Sequence, residues 1–386
     1  MKLLHVAASY LPAVRYGGTI VSVHGLCRAL VERGHEVHVY TTSVNGATDS
    51  DVPHGEPVDV DGVKVWYFRS PTFRRIYWAP DLAAALAKHV ASFDVVHTHA
   101  IFLWPLWAAA RAARRAGVPY VVSPRGMLER DLVSRQSPLL KGLWIAAIER
   151  HNLEGAAALH ITSQREADEA AVFGFTLPPM REIPNGVSLE APSGTVSESI
   201  QSIVGSEPYV LFLGRISWKK GLDRLIAALP HVSARLVIAG NDDEQYTPVL
   251  EGIADRLGVR DRITFTGPVN GADKGALLRH ARAMVLPSYS ENFGNVVIEA
   301  MAEACPVVVS RDVGLADVVD STGAGLTVEG SSTSVAFAVE RLLQDPSLRA
   351  QMGQRGARAA REHYAWPVVA KQMEDLYASL MQVPRA

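Results

Sequence analysis

Cysteine is scarce in this chain, and long apolar runs are missing. Only Cys27 and Cys305 occur among the 386 residues, and their separation suits neither a disulfide framework nor a set of metal ligands. No stretch approaches the roughly 18 to 20 apolar residues that span a bilayer. The first apolar run leads straight into Pro12 without a small-residue cleavage site, which favours a buried strand over a signal peptide. We therefore expect a cytoplasmic protein whose membrane contact, if it makes any, is peripheral and on the inner face.

The chain also carries little net charge. Its 38 basic and 40 acidic residues give a formal charge of -2 and a pI of about 6.7. No general field attracts nucleic acid, so we predict no nucleic-acid partner. Hydrophobic residues make up 48% of the sequence, and a chain of this length can bury more than one core. Two or three domains are expected.

Short β-rich runs alternate with helical patterns, and the alternation begins again in the second half. Strands are predicted in the first half at 3–8, 36–41, 64–68, 95–98, 120–123 and 158–162, with a helix over 19–33. Further strands are predicted at 209–213, 235–239, 263–266, 283–286 and 307–309. This pattern is typical of the α/β class and predicts two Rossmann-like, doubly wound parallel sheets covered by helices on both faces.

A polar segment divides the two halves. Residues 191–207 are rich in Ser, Gly, Pro and Glu, which predicts a linker between domains at 1–190 and 208–364. The helical pattern breaks just before Pro367, because a residue that precedes proline is pushed out of the α region. We expect the remaining segment, 365–386, to form a helix that packs back on the first domain.

The motif that points most clearly to chemistry occupies 287–301. It follows a predicted strand and enters a mostly apolar helix near Asn295, so the backbone N–H groups of the helix start, with Gly294 allowing close approach, predict a diphosphate site. Glu291 precedes the helix and Glu299 lies about one turn inside it. Because a carboxylate can accept both hydrogens of a vicinal diol, these two groups suit a sugar ring and a ribose. An unpaired charge at Glu299 would be costly among its apolar neighbours, which argues against an ordinary surface glutamate.

A second motif follows the predicted strand 209–213. Arg215 leaves the carboxyl end of that strand, and Lys220 with Gly221 opens the next helix. Open α/β sheets bind ligands at this edge, where two fixed cations would neutralise a departing nucleoside diphosphate. A lone Arg or Lys is usually a solvated surface charge. The combination with the glutamate motif favours the functional interpretation.

In the first half, Gly17 and Gly18 follow the first strand and open a helix. They could bring backbone amides against a phosphate or an acceptor, although a glycine pair alone is a weak indicator. The turn has no Gly-x-Gly-x-x-Gly pattern, which argues against a nicotinamide or flavin dehydrogenase.

His97, His99 and Arg125 follow two other predicted strands. We expect the two histidines to point to opposite faces, with His99 facing the ligand-binding edge and His97 in the core or a supporting position. No further Cys, His or carboxylate completes a metal set, and Asp49-Ser-Asp51 is typical of a polar turn, so we predict no metal site. Arg125 suits either an anionic group of donor or acceptor or a salt bridge within its loop.

Residues 71–78 mix aromatic side chains with two arginines. This composition is that of an interfacial membrane patch, but the segment is short. We favour a loop that packs its aromatic side chains inward.

Together these motifs resemble family 4 of the retaining glycosyltransferases, which have the GT-B fold. The resemblance extends over nearly the whole chain and includes Gly34-His-Glu-Val-His-Val, Asp94-Val-Val-His-Thr-His and Ile183-Pro-Asn-Gly-Val. It implies two Rossmann-like domains facing a central crevice. The first would bind a saccharide or lipid-linked saccharide acceptor, and the second a nucleotide-sugar donor such as a UDP- or GDP-hexose.

The resemblance also implies roles for individual residues. Arg215 and Lys220 would hold the donor diphosphate, Glu291 the transferred sugar and Glu299 the ribose. The other donor-binding positions would be Gly17, Gly18, Asn292, Phe293, Gly294, Asn295 and Val296. His99 is the further catalytic candidate, and Arg125 and His97 are weaker candidates for orienting acceptor or sugar; many relatives have histidine where this chain has Arg125. The family uses no cofactor or essential metal, and the departing phosphate is thought to take the acceptor's proton during front-face attack.

We therefore predict retaining hexosyl transfer in the assembly of a bacterial polysaccharide or glycolipid. A nucleotide-sugar 2-epimerase shares the architecture, but such enzymes typically lack the paired Arg/Lys and Glu motifs. A non-catalytic nucleotide-sugar-binding scaffold is the third hypothesis. Donor hydrolysis or transfer by the purified protein would exclude the scaffold.

Overall fold

The computed structural model describes residues 1–13, 17–128, 148–190 and 194–382. The chain forms two compact units. Unit 1 comprises Met1–Gly186 and Trp366–Ala386, and unit 2 comprises Val187–Ala365. The chain therefore passes between the units twice.

Unit 1 is built on an eight-stranded sheet. Its chain contains strands β1 (Lys2–Ala7), β2 (Glu36–Thr42), β3 (Val44–Asn45), β4 (Thr48–Asp49), β5 (Pro57–Val60), β6 (Val63–Phe68), β7 (Val95–His99), β8 (Tyr120–Ser123), β9 (Ala158–Ile161) and β10 (Met180–Glu182). The sheet order is β10-β9-β8-β7-β1-β2-β6-β5, while β3 and β4 form a separate hairpin. All sheet pairs are parallel except β5 with β6. Strand order thus reverses between β1 and β7.

Helices cover both faces of this sheet. They are α1 (Gly18–Glu32), α2 (Pro80–His89), α3 (Trp104–Ala116), α4 (Arg150–Glu154), α5 (Gln164–Ala171) and the C-terminal α14 (Trp366–Met381). One apolar cluster joins the sheet to α2 and α3, and a second joins it to α1 and α14. Burial on both faces explains why the central strands are continuous apolar runs and do not alternate.

Helix α14 docks on unit 1 through one apolar stripe. Its buried side chains, Val369, Ala370, Met373, Leu376 and Tyr377, recur at helical spacing. The indole of Trp366 lies against Gly25 of α1 and against Gly186, where an added Cβ would overlap the ring in either case. The glycine of the Ile183-Pro-Asn-Gly-Val segment is therefore required by packing.

Unit 2 has a six-stranded, wholly parallel sheet. Its strands are β11 (Tyr209–Leu213), β12 (Arg235–Ala239), β13 (Ile263–Gly267), β14 (Met284–Leu286), β15 (Val307–Ser310) and β16 (Gly325–Val328), in the order β13-β12-β11-β14-β15-β16. Its helices are α6 (Glu198–Val204), α7 (Leu222–Ala228), α8 (Thr247–Leu257), α9 (Gly271–His280), α10 (Asn295–Ala302), α11 (Ala316–Thr322), α12 (Ser332–Gln344) and α13 (Pro346–Ala359). A π-helical turn, Ala360–Tyr364, follows α13.

The structure differs from the prediction at the linker and at the sheet edges. Residues expected as linker include α6, whose Ile200 is 3% exposed in the unit 2 core, and the division between units falls after Gly186. Strands β5, β10 and β16 were not predicted. They are edge strands, and edge strands need no continuous apolar run because one side of their ladder is unpaired.

Two further observations concern the cysteines and the question of membrane-spanning helices. Both thiols, Cys27 and Cys305, are free and buried, and burial raises each pKa to about 12. Among the described residues, no helix combines the length and the apolar character that crossing a bilayer requires.

Candidate functional site

In unit 2 the two predicted motifs flank the point where strand order reverses. From β11 the chain winds outward through β12 and β13, and from β14 it winds the other way through β15 and β16. The loop with Arg215 and Lys220 follows β11, and the loop with Glu291 follows the neighbouring β14. Loops at such a switch point diverge and leave a ligand-binding crevice at the carboxyl ends of the strands.

The loop that carries Glu291 is held by backbone contacts on both sides. The Tyr289 N–H donates to the Lys219 carbonyl at 2.8 Å, and the Glu291 N–H donates to the Asp312 carbonyl at 3.0 Å. The Arg224 guanidinium lies 3.5 Å from the centre of the Tyr289 ring and donates to the Pro287 carbonyl. These contacts fix the carboxylate of Glu291 relative to the β11 loop.

Lys220 and Glu291 meet across this switch point. Gly221, with φ 67°, packs so closely on the Pro287 carbonyl that an added Cβ would overlap it, so only glycine allows the two loops to approach. The Lys220 ammonium then donates to Oε2 of Glu291. The two side chains are 20% and 19% exposed, so the pair is partly shielded but still reachable from solvent.

Arg215 and Glu299 have different surroundings. Arg215 is exposed and forms neither a hydrogen bond nor an ion pair with a described residue, so its charge is available to an anion. Glu299, on α10, lies 3.0 Å from the ammonium of Lys274 on α9. Lys274 explains how the carboxylate is tolerated beside apolar neighbours. Sequence reasoning missed it, because nothing in the α9 pattern distinguishes this lysine from a solvated one.

Helix α10 begins at Asn295, as predicted, and no residue of its own first turn neutralises its positive end. The N-cap is Gly294, with φ 94°, and the first turn has neither a side-chain cap nor an acidic residue. A Cβ at Gly294 would lie 3.1 Å from a methyl group of Val313, so the turn is also sterically tight. Asn292, Phe293 and Val296 belong to the same turn and helix start. This arrangement suits a phosphate group.

In unit 1 the strand order reverses between β1 and β7, and the predicted residues gather at the carboxyl ends of those strands and of β8. Gly17, with φ 75°, is the N-cap of α1, and Gly18 is its first residue; within the described ranges, no side-chain cap is seen at this helix start. Residues 14–16 lie outside the described ranges. His99 ends β7, and Arg125 follows β8.

The prediction that His97 and His99 point to opposite faces was wrong. Their ring centres are 4.2 Å apart, and the side chains are 1% and 2% exposed. Alternate residues of a strand share a face, and β7 continues through His99. His99 therefore lies under the surface of unit 1 and does not face solvent at the edge.

The statement that no third ligand accompanies these histidines was also wrong. His5 on β1 is paired in register with His97 on β7, and one nitrogen from each of His5, His97 and His99 lies within 4.8 Å of the others. His160 on β9 lies next to His97 as well. Hydrogen bonds nevertheless occupy most of these nitrogens, and the Arg125 charge adjoins them, which opposes a bound cation.

One hydrogen-bond chain runs from α14 to the Ile183 carbonyl, which follows β10. The His160 Nε2–H donates to the Ile183 carbonyl at 2.8 Å, because a carbonyl only accepts. His160 Nδ1 then accepts from the Ser123 hydroxyl at 2.6 Å, and Ser123 accepts from His97 Nε2 at 2.7 Å. His97 Nδ1 accepts from the Tyr377 hydroxyl at 2.6 Å. The Ile183 carbonyl thus determines the tautomers of both His160 and His97.

A second chain begins at Arg125. Its guanidinium donates to His99 Nδ1 at 3.2 Å, so His99 carries its proton on Nε2 and donates to His5 Nδ1 at 2.9 Å. Burial, followed by the charge of Arg125, lowers the pKa of His5 to about 3, and burial lowers that of His99 well below its usual value. His99 has no nitrogen left to accept a substrate proton. It supports Arg125.

Arg125 itself is a cation with neutral acceptors. It has φ 56°, is half-buried, and also donates to Oδ1 of Asn185 at 2.5 Å. Among the described residues, none forms an ion pair with it, so the predicted loop salt bridge is not seen. Burial lowers its pKa from the usual value. The nearby Glu166 carboxylate opposes this shift and offsets part of the charge, so an anionic group at this edge would meet a cation that is only partly compensated.

Two models of known protein families match this chain, one within each unit. Residues 197–359 match the family model of the glycosyl transferases group 1, and residues 17–186 match that of the glycosyl transferase 4-like domain. D-inositol 3-phosphate glycosyltransferase of Xylanimonas cellulosilytica is 32% identical over an alignment of 396 residues, gaps included. The alignment covers 94% of this chain and 91% of the relative. The chain belongs to the group 1 glycosyl transferases.

Solved structures share the fold of this chain. Sucrose-phosphate synthase from Thermosynechococcus elongatus superposes with a TM-score of 0.78 at 23% identity, over 98% of each chain. HepE from Anabaena, in complex with UDP and glucose, superposes with a TM-score of 0.77 at 20% identity, over 98% of this chain and 100% of that one. The GT-B fold class predicted for this glycosyltransferase is confirmed.

Proposed function

We propose that this glycosyltransferase moves a hexose from a nucleotide-diphosphate sugar to a hydroxyl acceptor, with retention of configuration and without an essential metal. The observation that carries the proposal is the contact of Lys220 with Glu291 at the unit 2 switch point. A cation and a diol-binding carboxylate are brought together there by two loops that are distant in sequence.

The diphosphate would be neutralised by three features of unit 2. Lys220 and the exposed Arg215 supply two positive charges on one loop, and the uncapped start of α10 supplies backbone N–H groups and a positive helix end. Their charges are in place before the reaction, so little reorganisation is needed as negative charge develops on the leaving group. This is the contribution that a metal ion makes in other enzymes, which supports metal independence.

The two glutamates would orient the sugar and the nucleoside. Glu291 stands beside Lys220, where the hexose meets the diphosphate, and we assign it to the hydroxyl groups of the transferred sugar. Glu299 lies further along α10, held by Lys274, and we assign it to the ribose diol.

Retention follows from the path we assign to the acceptor. Its hydroxyl oxygen forms a bond to the anomeric carbon on the face that the diphosphate leaves, the bond from that carbon to the phosphate oxygen breaks, and the acceptor proton moves to the departing phosphate. No protein nucleophile takes part. The neutral, buried histidines of unit 1 are not required as bases.

The experiment that tests the proposal combines binding with product analysis. Because HepE was solved with UDP and glucose, UDP-glucose is the first donor to test, followed by GDP sugars. We expect one nucleotide class to raise the melting temperature, since a ligand that binds only the folded state stabilises it. Proton NMR of the product should show the anomeric configuration of the donor, and saccharide and lipid-linked acceptors should be compared.

We also expect a chelator to leave the initial rate unchanged. An inverted product would refute the front-face path, and a rate abolished by chelator and restored by a divalent metal would refute metal independence. Nucleotide binding without transfer or hydrolysis would favour the scaffold hypothesis.

A further inference from the structure

The loop between β6 and α2 turns a phenylalanine outward. Phe73 is 73% exposed, so the expectation that this loop packs its aromatic side chains inward was wrong for that residue. Phe73 and Tyr77 both adopt left-handed backbone conformations, with φ of 50° and 57°. Bulky residues rarely adopt this conformation, and strained positions of this kind concentrate at functional sites.

Phe73 is the end of a continuous aromatic ridge. Ring centres lie 6.3 Å apart for Phe73 and Trp78, 6.4 Å for Trp78 and Trp104, and 6.2 Å for Trp104 and Trp107. The three tryptophans are half-buried, so each shows part of its ring to solvent. We use the term aromatic ridge for Phe73, Trp78, Trp104 and Trp107. An open depression of about 460 Å³, lined by residues 71–76, adjoins it.

Arginines border the ridge. Arg75 is exposed next to Phe73, and the guanidinium carbon of Arg111 lies 5.4 Å from the centre of the Trp107 ring. Arg115 continues the same stripe one turn further along α3. Among the described residues, no carboxylate forms an ion pair with any of these three arginines. Arg74, in contrast, anchors the loop by donating to Asp49 and to the Thr48 carbonyl.

The ridge lies at the edge of unit 1 where its candidate ligand residues gather. The loops that follow β6 and β7 leave the sheet at the same edge as the loops with Gly17 and Arg125, because these strands are parallel. Six described non-glycine residues of unit 1 have a positive φ. Five of them are in loops at this edge, namely Phe73, Tyr77, Ala100, Phe102 and Arg125.

We propose that the aromatic ridge and its arginines dock unit 1 on an anionic lipid bilayer. Tryptophan rings are favoured at the headgroup level, an exposed phenylalanine can enter the acyl boundary, and unpaired arginines attract anionic lipids. With the chain's net charge near zero, this attraction is local. If the acceptor is lipid-linked, which rests on the proposed function, docking brings its saccharide to the edge that carries Arg125.

The test is flotation of the full chain with vesicles of phosphatidylcholine, with and without phosphatidylglycerol, in the absence of substrate. We expect binding to the anionic vesicles that is released by high salt. Phe73→Ser should lower the partition coefficient roughly ten-fold, because a large apolar side chain is no longer buried. Replacing Arg75 and Arg111 together by Ser should lower it roughly thirty-fold.

Phe337→Ser is the matched control. Phe337 is also 73% exposed but lies on α12 of unit 2, so its loss should leave vesicle binding unchanged. The proposal is overturned if the chain ignores anionic vesicles, if Phe73→Ser binds like the wild type, or if Phe337→Ser loses as much. The nucleotide-induced shift in melting temperature, measured on the same variants, reports on the donor site separately. A retained shift with no vesicle binding would refute docking alone.

Discussion

Replacing Lys220 by Ala should remove most of the catalytic activity. The Lys220 ammonium is partly shielded and fixed against Glu291 at the start of the proposed diphosphate site. Loss of one preorganised group that stabilises a developing oxyanion typically lowers kcat about 100- to 1000-fold, or about 2.7–4 kcal/mol. We expect a loss of that size.

The same change also leaves the Glu291 carboxylate beside the donor phosphates without its cation. Two such charges about 4 to 8 Å apart repel by about 2–4 kcal/mol at an effective dielectric constant of about 20. The Lys220→Ala variant should therefore bind the nucleoside diphosphate much more weakly. Adding Glu291→Gln should restore part of that affinity but none of the turnover, because the proposed contact with the sugar is then lost as well.

Initial rates and calorimetric titration with the nucleoside diphosphate would measure the two effects. Lys219→Ala is the control, since it removes an equal charge from the same loop and keeps the backbone carbonyl that holds Tyr289. Wild-type turnover in Lys220→Ala would refute the diphosphate assignment. So would an equal loss in Lys219→Ala, because the effect would then be one of general charge.

Three other perturbations test packing, the buried histidines and the ribose contact. Gly25→Ala should lower the free energy of unfolding by about 1–3 kcal/mol, because the new methyl group meets an indole. Gly252→Ala, in the middle of α8, should raise it by about 0.4–1 kcal/mol, because an added Cβ there makes only an ordinary van der Waals contact with the Arg256 side chain. Burial lowers the pKa of His5 and of His160 to about 3, so the unfolded chain takes up protons that the folded chain does not. Stability should then fall as the pH drops from about 6.5 towards 3, by about 1.4 kcal/mol per pH unit for each histidine, as measured by urea unfolding. Glu299→Gln should raise the KM for a donor whose nucleoside contains ribose. It should leave the KM for the matching 2′-deoxyribose donor unchanged.

Each of these has a contrary outcome. Equal stability of the two glycine variants would show that the indole yields without cost. A urea midpoint independent of pH between neutral pH and about pH 5 would show that the histidines are not buried as neutral groups. A KM change that is the same for ribose and 2′-deoxyribose donors would remove Glu299 from the ribose site.

Local patterns were sufficient to predict much of this glycosyltransferase. Buried parallel strands such as β8, β11 and β12 were predicted residue for residue, because burial on both faces demands unbroken apolar runs. The start of α10 after Gly294 was also predicted correctly, because a glycine before an apolar helical pattern marks the turn. The placement of both unit 2 motifs at one sheet edge followed from the parallel topology alone.

Contacts between distant segments were decided only by the tertiary structure. The register of β1 against β7 brings His5 to His97, and the packing of α9 beside α10 brings Lys274 to Glu299. The outward turn of Phe73 depends on a backbone conformation that its residue type does not favour. The sequence determined which segments are strands, helices and ligand-binding turns, because those follow from periodicity and turn chemistry. The partners of individual charged and aromatic side chains depend on strand register and helix packing, which arise only when the whole chain folds.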